Sequence, residues 1–162
     1  MIEIREATPE DIELIIELWN EFQDYQKDLL KKDPTLKSYL EKKKDAKQIF
    51  RNYITGRVES PEAKVMIAYA DGKPAGYCLY MIEKTIPIFK MEKIGYISDL
   101  FVRPSFRGQG ISSMFRDKAY EWFRKIGLTH VSIKLYPGNI HAHSIYAKWG
   151  FRDYHIEMRR KL

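Results

Sequence analysis

The 162-residue chain is long enough to bury a core, and its composition (44% hydrophobic, 31% charged, 14% aromatic) is that of an ordinary globular protein. No apolar run is long enough to cross a bilayer, and the charged start MIEIREATPED has no signal-peptide core. A lone cysteine, Cys78, excludes an internal disulfide, so the expectation is a cytoplasmic protein, read as one domain over residues 1–162. The net charge of +6 is uneven, −2 over residues 1–60 and +8 over the remainder. An anionic partner would suit the basic half, but a solvated surface accounts for it as well.

The chain opens with the alternating segment IEIREA, a strand pattern that ends at Thr8-Pro9-Glu10-Asp11. That tetrad starts a helix well: Thr as N-cap, Pro at the first helical position, acids in the first turn. Ile12, Ile15, Ile16, Trp19, Phe22 and Tyr25 recur at helical spacing, so the helix is predicted to run to about Leu30 and to break at Asp33-Pro34. A second helix is predicted over Lys44–Tyr53, with Gly56 near its end. The period then changes to two. AKVMIAYA and PAGYCLYMIE flank a turn at Asp71-Gly72-Lys73 and read as a hairpin. KIGYISDLFV is a nearly continuous apolar strand, and so central, stopped by Arg103-Pro104. Ile111, Phe115, Ala119, Trp122 and Ile126 form a helical stripe that Gly127 terminates. THVSIKLY is a further strand, and Ala142, Ile145, Tyr146 and Trp149 mark a short helix ended by Gly150. DYHIEMRRKL alternates again and is predicted to be the last strand. The order argues a mixed sheet with helices on both faces.

Between the central strand and its following helix stands VRPSFRGQGISSMF, with Gly108 and Gly110 one residue apart. A strand that stops, turns through glycine and opens a helix aims free backbone N–H groups at one spot, where the helix dipole adds positive character. That arrangement cradles phosphate, and Arg107 beside it could add a bidentate charge. It is not a P-loop, because no Lys follows Gly110, nor a dinucleotide fingerprint, because Ser113 stands where the third glycine belongs. A tight turn whose glycines serve packing alone stays open on this stretch. NIHAHSIYAKWGF supplies a second constellation: Asn139 at the helix start and Tyr146 two turns later on the same face.

With DLFVRPSFRGQGI and NIHAHSIYAKWGF both in place, the chain resembles the GNAT superfamily of acyl-coenzyme A dependent N-acetyltransferases from about Tyr96 to Phe151. The resemblance implies an α/β (α+β) fold with a mixed, mostly antiparallel central sheet of six to seven strands and helices on both faces. It implies acetyl-CoA as co-substrate and an amine acceptor, small molecule or protein. No metal, nucleic acid or membrane partner is expected from the sequence. Oligomeric state stays open, a homodimer included. Carried over residue by residue, Leu100, Phe101 and Val102 offer backbone groups to the pantetheine arm. Arg107, Gly108, Gln109, Gly110, Ile111, Ser112 and Ser113 wrap the pyrophosphate, and Asn139 contacts the pantetheine. Tyr146 matches the proton donor to the departing thiolate. The family motif ends in Gly or Ala where this chain has Ser112.

The chemistry needs a neutral amine to attack the thioester, so an ammonium must first lose a proton. Asp99 is the candidate base, with a buried carboxylate satisfied by backbone as the alternative. Strand alternation puts Ser98 and Asp99 on opposite faces unless a bulge intervenes. Glu92, Tyr96 and Tyr80 are lesser candidates. No covalent intermediate is required, so Cys78 reads as a small buried strand residue. His141 and His143 are two apart on a helix and make a poor metal pair. Tyr146 could instead be core, on its stripe with Ile145 and Trp149. The acids of the first helix (Glu13, Glu17, Glu21, Asp24) could attract a cation or simply be solvated. A non-catalytic acyl-CoA-binding regulatory domain and, on charge alone, a nucleic-acid binder are the competing classes.

Overall fold

A computed structural model of the chain describes residues 1–162. Its strands β1 (Ile2–Glu6), β2 (Ala63–Ala70), β3 (Lys73–Lys84), β4 (Lys93–Val102) and β5 (Val131–Ile133) form one sheet in the order β1-β2-β3-β4-β5. The first three pairings are antiparallel and β4–β5 is parallel. The predicted hairpin is present. Asp71 and Gly72 take φ of 48° and 75°, two successive left-handed residues whose twist matches the strands they join. Helices α1 (Ile12–Leu29), α2 (Pro34–Ser38) and α3 (Ala46–Val58) precede β2, and α4 (Ile111–Lys125) and α5 (Ile140–Lys148) flank β5.

The sheet buries both faces, as the apolar runs of β2 and β3 require. On one side Ile15, Ile16 and Leu18 of α1 and Phe50 and Ile54 of α3 pack on Val65, Ile67, Tyr77, Leu79 and Phe101. Trp19 of α1 stacks on Phe50 at 4.0 Å between ring centroids. On the other side Ile111, Phe115, Ala119 and Phe123 of α4 pack on Ala68, Cys78, Tyr80, Ile97 and Val102. The α4 stripe therefore ends on Phe123, not on the predicted Trp122 and Ile126; Trp122 is only partly buried and Ile126 is 40% exposed. Gly95 makes the close contact possible, since a Cβ there would lie 2.7 Å from the Phe123 ring. No helix is long and apolar enough to cross a membrane.

Several boundaries differ from the sequence reading. The sheet has five strands, not six to seven, because DYHIEMRRKL forms no strand: Tyr154, Ile156 and Met158 are 91%, 84% and 90% exposed. Alternation alone does not make a strand without an edge to pair with. Of THVSIKLY only Val131–Ile133 is strand, and α2 occupies the Asp33-Pro34 break, with Asp33 accepting from the Leu36 N–H at 3.0 Å. Gly56 lies inside α3, which runs on to Val58.

The entry to α1 is fixed by charge. Arg5 of β1 grips the Asp11 carboxylate with two bonds of 2.7 Å, the Thr8 N–H donates to the same carboxylate at 2.8 Å, and the Arg5 guanidinium also donates to the Tyr69 hydroxyl at 2.9 Å. The bond from Arg5 is the main reason that the Asp11 pKa falls to about 2, well below the usual carboxylate value. A depressed folded-state pKa gives stability that is present above the unfolded value and lost as pH falls. Asp11→Asn is expected to lower stability at neutral pH by about 1–3 kcal/mol, as for loss of a hydrogen bond to a charged group. Denaturant unfolding should show the difference from the parent shrinking between about pH 4 and pH 2.

Candidate active site

Strands β4 and β5 pair over three positions only, Gly95 with Val131, Tyr96 with Ser132 and Ile97 with Ile133. Beyond Ile97, β4 continues to Val102 with β3 as its sole partner, and the chain after Ile133 veers away. A wedge-shaped cleft of about 1010 Å³, open mouth included, fills the gap. The cleft brings together Leu100, Phe101, Val102, Arg107, Gly108, Gly110, Ile111, Ser112, Asn139 and Tyr146, ten of the residues singled out in the sequence. Gln109, Ser113 and Asp99 do not line it. Its walls also contain residues the sequence reading assigned to core or passed over, chiefly Phe22, Tyr25 and Gln26 of α1, Phe106, Tyr136 and Trp149. The helical stripe of α1 held the signal for Phe22 and Tyr25. Periodicity alone does not distinguish a side chain facing a core from one facing a cleft.

The two glycines have a conformational reason. Gly108 and Gly110 sit at φ +78° and +81°, and a Cβ on either would meet nothing within 4 Å, so the demand is for left-handed backbone and not for packing space. Gly110 caps α4, whose first helical bond is Met114 N–H to the Gly110 carbonyl at 3.0 Å. The amides of Ile111, Ser112 and Ser113 thus belong to the unbonded first turn. Arg107 is tethered: its Nε donates to the Val102 carbonyl at 3.0 Å and its guanidinium lies 4.7 Å from the Tyr25 ring centroid. Asn139 caps α5, its side-chain oxygen accepting from the Ala142 N–H at 3.2 Å. Tyr146 stands in the cleft against Trp149 and Phe151, with centroids 5.4 and 6.1 Å away. Burial pushes its phenol well above the ordinary tyrosine value, helped by Cys78 and Tyr25, so the hydroxyl stays protonated at neutral pH.

A bulge at Ser98 answers the question about Ser98 and Asp99. Leu79 faces Asp99 while Tyr80 faces Ile97, leaving Ser98 as the extra residue. The insertion shifts the phase of β4, so Asp99 joins Tyr96 and Phe101 on the α1/α3 side instead of turning into the α4 layer. There the Tyr77 hydroxyl donates to Asp99 Oδ2 at 2.6 Å and the Ser98 hydroxyl to Oδ1 at 3.2 Å. Burial raises the Asp99 pKa above the usual carboxylate value, and the Tyr77 and Ser98 bonds pull partly against it. The carboxylate is satisfied by side chains, not by backbone. Cys78 is fully buried and its thiol is pushed well up by desolvation, which makes it unreactive.

The cleft between the parted parallel strands thus carries a glycine loop at a helix start and a buried tyrosine. A family model described as the acetyltransferase (GNAT) family matches residues 15–151. A protein of Archaeoglobus fulgidus named as an uncharacterised N-acetyltransferase is 30% identical over 125 residues, covering 75% of this chain and 73% of its own length. One of Methanocaldococcus jannaschii, named in the same way, is 29% identical over 150 residues, 93% of this chain and 60% of its own. Among solved structures, a predicted acetyltransferase with acetyl-CoA from Clostridium acetobutylicum superposes with a TM-score of 0.78 at 17% identity, covering 99% of this chain and 96% of that one. An aminoglycoside 6'-N-acetyltransferase from Acinetobacter haemolyticus gives 0.72 at 15% identity, with 99% of each chain covered. The chain belongs to the GNAT family. It is an acetyltransferase, in a family that uses acetyl-CoA.

The Tyr77–Asp99 contact can be probed by itself. Tyr77→Phe keeps the ring in the core and removes the proton that stabilises the ionised carboxyl. The Asp99 titration midpoint, read from the carboxyl carbon by NMR, is expected to move further up. Loss of the bond should also cost about 1–3 kcal/mol in denaturant unfolding, because a buried acceptor loses its donor.

Proposed function

We propose that the protein moves an acetyl group from acetyl-CoA to a primary amine by direct attack, residues 1–162 acting as one N-acetyltransferase domain. The observation that carries this reading is the parting of β4 from β5 after Ile97, beside Tyr146. An extended pantetheine arm suits the unpaired edge of Leu100, Phe101 and Val102 as an added strand would, through main-chain hydrogen bonds. The pyrophosphate suits the loop from Arg107 to Ser113, where left-handed glycines and unbonded first-turn amides favour an anion. Tethered to Val102 and Tyr25, Arg107 holds that loop in shape as well as adding charge. Asn139, its oxygen committed to the α5 cap, keeps its amide nitrogen for the arm.

In the reaction the amine nitrogen bonds to the thioester carbon as the carbon–sulfur bond breaks. The proton that the ammonium must lose goes to Asp99 through water, since Asp99 lies outside the cleft lining. The departing thiolate takes a proton from Tyr146, and the second proton that the nitrogen sheds on becoming an amide restores the phenol. A carboxylate with a raised pKa is a stronger base than a free one, and a buried, protonated phenol is placed to donate. No step needs an enzyme-bound acyl group, which agrees with the unreactive Cys78 thiol.

Two variants test the assignment by acetyl-CoA-dependent thiol release. Tyr146→Phe should lower turnover by about 10²–10⁴-fold, the usual worth of a positioned proton donor, with coenzyme affinity by calorimetry little changed. Unchanged turnover would make Tyr146 structural. Asp99→Asn should lose rate at neutral pH and regain part of it as pH approaches the amine pKa of about 10.4, where free amine becomes abundant. In the parent, the rising limb of the pH profile should lie above the ordinary aspartate range, since Asp99 acts only when ionised and its pKa is raised. A loss that is uniform at every pH would assign Asp99 to holding the strand.

A further inference from the structure

The face of β4 that carries Asp99 looks onto a run of aromatic rings. Trp19 stacks on Phe50, and Phe50 lies 6.1 Å from Tyr53. Tyr96 packs against the same core as Trp19 and Phe50 and shares its strand face with Asp99. Three of these rings carry a cation: Lys42 Nζ stands 4.4 Å from the Trp19 centroid, the Arg57 guanidinium 4.8 Å from Tyr53, and Lys134 Nζ 4.7 Å from Tyr96. Lys134 also lines the cleft between β4 and β5.

Three acids of α1 are engaged by arginines. Glu13 pairs with Arg51. Glu17 and Glu21 both hold Arg103, at 2.5 and 2.6 Å. That removes most of the acidic face of α1 as an attractor for a cationic acceptor. Asp24 and Lys27 act on the Lys42 ammonium with opposite sign. Lys134 has Glu83 at 3.5 Å, with the two side chains 59% and 40% exposed, a solvent-screened pair of little worth. Lys42 and Arg57 make no ion pair; Lys42 has only the Asn20 side-chain oxygen at 3.4 Å.

We propose that the acceptor is an amine that carries a carboxylate close to the reacting nitrogen, as an amino acid or the acidic start of a peptide does, and that Lys134 on the Tyr96 ring is the anchor for that carboxylate. This rests on the acetyltransferase reading. Lys134 on Tyr96 then holds the carboxylate end of the zwitterionic group, and the amine end lies toward the Asp99 side of β4, from which water relays its proton. Like-charge opposition from Lys42, Arg57 and Lys134 disfavours a polycation, and that opposition is itself a source of selectivity.

The test measures kcat/KM by thiol release for L-glutamate, for a short peptide beginning with acidic residues, for the carboxamide counterparts of both, and for spermidine and an aminoglycoside. Acetyl-CoA affinity is measured in parallel by calorimetry. At least one carboxylate-bearing amine is expected to exceed its carboxamide by about tenfold, with the ratio shrinking at high salt as surface charges are screened. Whether the amino acid or the peptide leads tells the source of the carboxylate. Lys134→Glu should abolish or invert the ratio, and Lys134→Gln, which keeps the stem, should abolish it with thermal stability unchanged. Equal or better use of carboxamides or polycations, or a ratio indifferent to Lys134, overturns the proposal while leaving the acetyltransferase reading intact. Failure to bind acetyl-CoA at all overturns both.

Discussion

A three-position parallel ladder between β4 and β5 is the constraint around which the molecule is arranged. Backbone N–H and C=O groups require partners, and an internal strand ordinarily finds them on both sides. Here β4 keeps β3 along its whole length and loses β5 after Ile97. What surrounds the gap is what a ligand with its own hydrogen-bonding chain would need: the start of α4, the cap of α5, and aromatic side chains from α1. The bulge at Ser98 falls at the same point on β4. Opening the sheet and re-aiming Asp99 are therefore one event in the chain, not two.

Arg103 supports that gap from the far end of β4. It is held by Glu17 and Glu21 of α1 and donates to the Pro74 carbonyl at 2.9 Å, so α1, the β3 entry and the end of β4 meet on one side chain. Phe22 and Phe101, with centroids 5.6 Å apart, continue the contact into the core. The helix that walls the cleft is thus anchored by a charge cluster and an aromatic pair together. The same pairing leaves the aromatic face beyond it with its cations only partly balanced.

Much of this was legible in the sequence because the signals were local. Gly108 and Gly110 announced a turn at a helix start, Asp71-Gly72 a tight hairpin, and Asn139 a cap. Ten predicted coenzyme-binding residues converge on one cleft because two motifs, read in order, specify two loops at one end of a sheet. What could not be read depended on partners distant in the chain. The Ser98 bulge is defined only by the register of β3 against β4, and the α1 acids looked free until Arg51 and Arg103 were placed beside them. The last predicted strand failed for the converse reason, having a good local pattern but no pairing with any strand, its side chains left exposed. The side of α1 that meets the cleft was hidden within an unbroken apolar stripe.

The brevity of β5 has a bearing on how copies of the protein behave in solution. An outer strand is normally a template, a row of unused hydrogen-bonding groups on which another chain can crystallise its own backbone. Val131–Ile133 offers three residues of such a row, against about five or six in an ordinary strand. Because β5 is already tied to β4 through slanted parallel bonds, its remaining edge is too short a seam for a second sheet to zip onto. Shortness at this border guards against fibrillar association, a service to solubility independent of any chemistry in the cleft.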